Sequence, residues 1–233
     1  MWIAALLLAV PLFCLWQNSR AAATEIEFKS RLVPRALDGF RIAHISDVHG
    51  RPAGGAEQLL ALLLEKEPGL IAITGDLLDR RHPDTEAAAV FARALADIAP
   101  VCFAAGNHEY RSDRYGELRC LLEQAGVYVL DDAAVTVTIG GGGRFIVAGL
   151  RDPSFSRPRR TVSTVRRERE ETLKRLLSDD GAFCVLLSHR PELFDIYMRR
   201  GVPLTLSGHA HGGQVRLFGR GLYAPGQGVF PRY

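Results

Sequence analysis

His209 and His211 stand two apart in the stretch SGHAHGG, beside glycines that let a backbone approach a ligand closely. Two imidazoles so close together suit metal ligation, since neutral imidazole is a common metal ligand. Four other polar clusters offer partners. SDVHG supplies Asp47 and His49, TGDLLD supplies Asp76 and Asp79, GNHEY supplies Asn107 and His108, and LLSH supplies His189. The combined set is three carboxylates, one amide and five imidazoles, with no thiolate. Such donors suit manganese, iron, zinc or a similar divalent ion and argue against a structural cysteine-type zinc site. The set is large enough for two ions, and a carboxylate is the natural bridge between two cations. A pair of ions ~3.5–4 Å apart generates hydroxide from water and stabilises both oxygens of an in-line displacement at phosphorus.

These clusters act together only if the fold gathers them. GFRIAHIS (39–46), GLIAIT (69–74) and VCFAA (101–105) are apolar runs, followed by helical stretches near 56–66, 84–97 and 113–124. That alternation predicts βαβ units and a parallel sheet covered on both faces. AVTVTI and RFIVAGL flank a four-glycine turn in the manner of a hairpin, and AFCVLLS and PLTLS read as two more buried strands separated by a helix near 191–200. Five of these strands run into the five polar clusters. Ligands of open α/β sheets bind outside the carboxyl ends of the strands, so the clusters converge on one rim. Plainer readings apply to some residues. Asp79 suits the N-cap of the next helix, and His44, inside a strand, and His82, in a polar turn, read as ordinary satisfied polar residues.

SDVH, GDLLD, GNHE, LSH and SGHAHGG, in this order, resemble the motif set of the calcineurin-like metallophosphoesterase superfamily, over about residues 39 to 216. LDGFRIAHISDVH and SGHAHGGQVRL are similar to a bacterial, often membrane-attached branch, which includes enzymes cleaving the pyrophosphate of UDP-2,3-diacylglucosamine in lipid A synthesis. The resemblance implies an α/β fold, a four-layer α/β/β/α sandwich with two mixed sheets; the sequence itself adds an N-terminal hydrophobic segment before it. It implies a hydrolase with two divalent metal ions, manganese favoured over iron or zinc, attacking a phosphodiester or pyrophosphate in line with a metal-bound hydroxide. Carried over by position, Asp47, His49 and His211 hold one metal, Asn107, His189 and His209 the other, and Asp76 bridges them. His108 sits beside the metals, donating to phosphoryl oxygens or protonating the leaving alkoxide. Asp79 supports the site from behind, orienting His108.

Three features depart from the pattern. His189 is followed by Arg190 where this branch often has Asn, and that guanidinium either grips a substrate phosphate or faces solvent. Residues 157–175 carry a net charge of +5, leaving −2 for the rest of the chain. That segment is either a solvated loop and helix face or a contact for anionic lipid headgroups. The chain stops at GVFPRY, soon after the last ligand, which is expected to remove closing strands that relatives carry.

Composition sets outer bounds. At 233 residues, 47% hydrophobic and 24% charged, the chain suits one well-buried domain, expected over 39–233, after a linker and edge segment at 20–38. Its net charge of +3 is too mild to imply nucleic acid. A nuclease would want aromatics for base stacking, and 157–175 contains none. A protein phosphatase would share the same metal core, and a catalytically silent interaction module the same fold, though its ligands would be the first residues to drift. The expected partner is a phosphorylated small molecule or a lipid-linked substrate. Cys102 and Cys184 lie in strand-like runs and read as buried thiols.

Residues 1–16 hold no charged side chain, and 1–19 read as a membrane anchor or signal, although the run is shorter than the ~20 residues of a comfortable span. Arg20, Lys29, Arg31 and Arg35 on its C-terminal side favour an anchor with the domain on the cytoplasmic face. The AAA at 21–23 offers instead a cleavage site for export, and a buried core helix is the third reading.

Overall fold

The computed structural model describes residues 9, 11–14, 16, 20–51, 55–156, 161–177, 181–213, 215–217, 220–224 and 227–232. The first half runs β1 (Ile42–Ile45), α1 (Gly55–Lys66), β2 (Leu70–Ile73), α2 (Thr85–Ala96), β3 (Val101–Phe103), α3 (Asn107–Arg111), α4 (Tyr115–Gln124) and β4 (Tyr128–Val129). These strands lie side by side in chain order, each parallel to the next. The second half runs β5 (Ala133–Thr138), β6 (Arg144–Leu150), α5 (Val162–Leu176), β7 (Cys184–Ser188), α6 (Phe194–Arg199) and β8 (Leu204–Leu206). β5 and β6 form the hairpin expected around the glycine turn, and β7 and β8 continue the sheet parallel to β6. Mixed pairing, expected in both sheets, is therefore found in the second. The first is parallel because helical crossovers return the chain to the same end each time.

Strand alternation distributes the core into layers. Ile71, Ile73, Val101 and Phe103 face the helices and pack on Leu63 of α1, Phe91 and Leu95 of α2, and Leu118 and Leu122 of α4. Their neighbours Leu70, Ala72 and Cys102 point the other way, onto Phe145, Val147, Val185 and Leu187 of the second sheet. That sheet's far face, through Ala148, Leu150 and Leu186, meets Leu173 of α5 and Ile196 and Tyr197 of α6. The order is helices, sheet, sheet, helices. Burying each such leucine or isoleucine contributes roughly 1.5–3 kcal/mol. Cys102 and Cys184 are free and buried, as expected. After His211, β9 (Val215–Leu217), β10 (Arg220–Ala224) and β11 (Gly228–Val229) form an antiparallel sheet that the sequence pattern had not revealed.

Of the basic segment, 157–160 lie outside the described residues, and the rest forms most of α5. Its N-cap is Thr161, whose hydroxyl accepts the Thr164 N–H at 3.2 Å. Its charges are tied to neighbours. Arg169 is buried and donates to Asp132 at 2.9 Å and to the Arg151 carbonyl at 3.0 Å. Arg166 pairs with Asp195, Glu170 with Arg200 at 3.3 Å, and Arg167 with Glu171 at 3.8 Å. The hydrophobic segment expected at 1–19 lies largely outside the described residues. Among those described, no helix is long and apolar enough to cross a membrane.

Candidate metal centre

Both sheets deliver their carboxyl ends to one seam. Asp47 and His49 follow β1, Asp76 follows β2, and Asn107 and His108 open α3 just past β3. From the second sheet, His189 and Arg190 follow β7, and His209 and His211 follow β8. Hydrogen bonds across the seam fix the two sets against each other. The His209 N–H donates to both Asp47 carboxylate oxygens at 3.0 and 3.1 Å, and His189 Nδ1 bonds the Thr74 carbonyl at 2.8 Å.

Asp47, His49, Asp76, His209 and His211 all adopt left-handed backbone, with φ between 49° and 65°. Asp and His tolerate this conformation better than most residues, yet each costs on the order of 1 kcal/mol or more. The gain is that residues two apart in DVH and HAH reach one centre. Gly208 serves the same end. A Cβ there would run into Ser46 Oγ and lie 2.8 Å from Asp47 Oδ2 and 3.1 Å from His189 Nδ1, so the bare backbone is what lets the two sheets close.

Among the described residues, three groups of side chains come within metal-ligating reach. Asp47, His49 and His211 form one, His49, Asp76 and His108 a second, and Asp76, His189 and His209 a third, with the ligand atoms of each within 4.8 Å of one another. Asp76 belongs to two of them. Asn107 Oδ1 joins the last group, 3.2 Å from His189 Nε2.

The chemistry of these donors fits a cation. His189 Nδ1 is spent on the Thr74 carbonyl, so its Nε2 presents a lone pair, as a metal-binding histidine's does. That nitrogen faces Asp76 Oδ2 at 3.3 Å and Asn107 Oδ1 at 3.2 Å, three acceptors around one space. Without a metal, a proton has to serve. Burial pulls the His189 value down, but the hydrogen bond and charge of Asp76 push it up to about 9. Burial likewise pulls Asp76 up, and His189 overrides it, holding the carboxyl at about 2. At the other group, His49 Nε2 and His211 Nε2 confront each other at 3.4 Å with Asp47 Oδ1 3.7 Å from the latter. His49 Nδ1 is buried without a partner. A cation would relieve both arrangements. His209 is prepared for one: burial, then the nearby Arg190 charge, lowers it to about 3, leaving a neutral imidazole.

His108 lies at the edge of the centre, its Nε2 3.9 Å from Asp76 Oδ2. Its Nδ1 accepts the Arg80 N–H at 3.3 Å, which leaves the Nε2 proton directed at the site. The orienting contact is thus the Arg80 backbone. Asp79, expected in that role or as an N-cap, accepts the Arg81 N–H at 2.8 Å in a local turn, and the N-cap of α2 is Asp84. His44 is satisfied by Thr74 Oγ1 at 2.7 Å, and His82 is exposed. Arg190 does not merely face solvent. It donates through Nε to Asp152 at 2.5 Å and through Nη1 to His209 Nε2 at 2.7 Å.

Two residues escaped the sequence reading. Glu109, fully buried, accepts the N–H groups of Asp76, Leu78 and Gly106 at 2.7 to 3.0 Å and so clamps the Asp76 loop to the start of α3. Asp152, buried beside Arg190, follows β6. It obeys the strand-end rule used for the others and was legible by it.

Residues 40–213 match the calcineurin-like phosphoesterase family. The chain belongs to that family. Relatives include the uncharacterized metallophosphoesterase YkuE of Bacillus subtilis, 33% identical over 83% of this chain and 66% of its own length. A putative metallophosphoesterase of Caenorhabditis elegans is 34% identical over 76% of this chain and 37% of its own. A Bos taurus protein named as a transmembrane protein with a metallophosphoesterase domain is 26% identical over 83% of this chain and 45% of its own. The chain thus spans less than two thirds of the length of each. The metallophosphoesterase motifs noted in the sequence are those that the fold brings to the seam.

Proposed function

We propose that this chain is a metal-dependent phosphoester hydrolase with a dinuclear centre. Asp47, His49 and His211 would hold one divalent ion, Asn107, His189 and His209 the other, and Asp76 both. The observation carrying this reading is that the Asp76 carboxylate is common to two of the three ligand groups. When bound, the metals supply a nucleophile from water at neutral pH and positive charge for the phosphoryl oxygens. The protein's own groups do the rest. Glu109 holds the Asp76 loop rigid through three backbone donors. His108, kept neutral by burial, presents its Nε2–H to a phosphoryl or departing oxygen. Manganese is our favoured ion, on the all-N/O donor set.

The substrate class we favour is a phosphodiester or pyrophosphate beside a membrane, with UDP-2,3-diacylglucosamine as one candidate. The uncharged run at 1–16 and relatives named as transmembrane proteins support the location. Flanking basic residues favour a cytoplasmic-facing anchor over export after cleavage. The test is hydrolysis by manganese-loaded protein of bis-p-nitrophenyl phosphate, p-nitrophenyl phosphate and UDP-2,3-diacylglucosamine. Asp76→Asn and His108→Ala serve as controls. Losses of about 100-fold or more in both variants are expected. A wild-type chain that binds two ions, melts cooperatively and turns over none of the three would favour an interaction module instead.

A further inference from the structure

The second half of the centre already contains a positive charge. Arg190 Nη1 lies 2.7 Å from His209 Nε2 and Nη2 lies 3.3 Å from Asn107 Oδ1. These are the atoms that would face the second metal. The guanidinium is held there from behind. Its Nε and Nη2 donate to the two oxygens of Asp152 at 2.5 and 3.3 Å, and the Asp152 side chain is wholly buried. The Arg190 backbone is fixed too, its carbonyl accepting the Tyr197 hydroxyl at 3.0 Å and its N–H reaching Ser188 Oγ at 3.4 Å. A guanidinium carries five N–H donors and stays charged, so it satisfies an imidazole lone pair and an amide oxygen at once. In the first half, His49 Nε2 and His211 Nε2 face each other at 3.4 Å.

A second seat waits beside the first. Glu192 Oε1 is 4.0 Å from Arg190 Nη1 and 3.6 Å from His209 Nε2, and Glu192 Oε2 is buried with no hydrogen-bond partner among the described residues. A swing that keeps the Nε–Asp152 bond would carry Nη1 from His209 toward Glu192, and Nη2 would leave its 3.3 Å contact with Asn107 Oδ1 in the same movement.

We propose that Arg190 is a built-in cation of the second half-site, seated on His209 and Asn107 in the metal-free chain and displaced toward Glu192 when the ion enters. The inference rests on the two-metal reading. It makes the second ion compete with an internal charge, so the halves fill in order, with the Asp47–His49–His211 half first.

The test is calorimetric titration of metal-stripped full chain with manganese, with metal content measured after desalting. Wild type is expected to take two ions, the second at least about tenfold more weakly than the first. Arg190→Met should tighten the second ion about tenfold or more and leave the first within about threefold. Glu192→Gln, which weakens the receiving seat, should loosen the second ion, the opposite sign. Loss of that carboxylate also loosens the ion by charge alone, so Arg190→Lys decides the matter should Arg190→Met fail to fold. Arg190→Lys keeps the charge but cannot span Asp152, His209 and Asn107 together, so it should also tighten the second ion. Two ions of unchanged affinity in Arg190→Met, a wild-type profile in Arg190→Lys, or tighter binding in Glu192→Gln would overturn the inference while leaving the dinuclear reading standing. One ion in both wild type and Arg190→Met would sink the dinuclear reading itself, and this inference with it. One ion in wild type and two in Arg190→Met would support the inference.

Discussion

On α5, each guanidinium described finds a carboxylate or carbonyl that uses it. Arg169 reaches Asp132 and the Arg151 carbonyl, Arg166 reaches Asp195, and Arg175 reaches the Asp132 carbonyl at 3.2 Å. At the seam between the sheets the tally is left open. Asp76, Asn107 and His189 crowd ligand atoms together at 3.2 and 3.3 Å; among the described residues His49 Nδ1 is buried without a partner, as Arg169 Nε is on α5, so the contrast lies in the crowding. The backbone differs in the same sense. Five left-handed Asp and His residues line the seam, whereas α5 is regular from its cap to its end. Satisfied charge on relaxed backbone is scaffold. Charge short of a counter-ion, on strained backbone, marks a place built for something else to bind.

If α5 is scaffold, breaking its buried pair must cost stability and not chemistry. Arg169→Met removes the nearest guanidinium from Asp132, which keeps the Arg151 N–H at 3.2 Å and the Arg151 guanidinium at 3.8 Å, and should destabilise the fold by about 2 kcal/mol in urea unfolding, while the folded fraction keeps its rate per molecule. A lost rate at unchanged stability would reverse the assignment.

The seam should respond the other way. Gly208→Ala pushes a methyl into Ser46 and among Asp47 and His189, costing about 1–3 kcal/mol of stability and, more tellingly, manganese binding. Retention of both ions by that variant would show that the seam is looser than its contacts imply.

Acidity sharpens the contrast further. In the metal-free chain His189 is raised from 6.5 to about 9, so its pairing with Asp76 stabilises fully below pH 6.5 and is lost as pH rises through about 9. Asp76, depressed from 3.8 to about 2, gives stability above pH 3.8 that is lost as pH falls through about 2. Scanning calorimetry of stripped protein should therefore find a Tm that falls between pH 6.5 and 9. Arginine pairs on α5 produce no such step. A Tm flat across that interval would remove the proton from its role as stand-in for the metal.

The smallest effect is expected at the surface of α5. Arg167 and Glu171 are both mostly exposed at 3.8 Å, and Arg167→Ala should change stability by less than about 0.5 kcal/mol.

Much of the seam was legible because its logic is local. Apolar strand followed by polar cluster is a pattern in the chain itself, and it located Asp47, Asp76, Asn107, His189 and His209 at strand ends. What escaped depends on partners distant in sequence. Nothing in GNHEY says that Glu109 will take N–H groups from Leu78 and Asp76, more than thirty residues away. Arg190 stood out as unusual, but its attachment to Asp152 and His209 requires β6, β7 and β8 to be adjacent. The partners of the basic run 157–175 were hidden for the same reason: the acids that pair with Arg169 and Arg166, Asp132 and Asp195, lie outside the segment.

The most direct test of the shared-carboxylate account is electron paramagnetic resonance of the chain loaded with two manganese ions. Bridging through Asp76 predicts the spectrum of an exchange-coupled pair, collapsing to that of isolated manganese in Asp76→Asn. Two uncoupled ions in the wild type, or a coupled pair that survives Asp76→Asn, would contradict it.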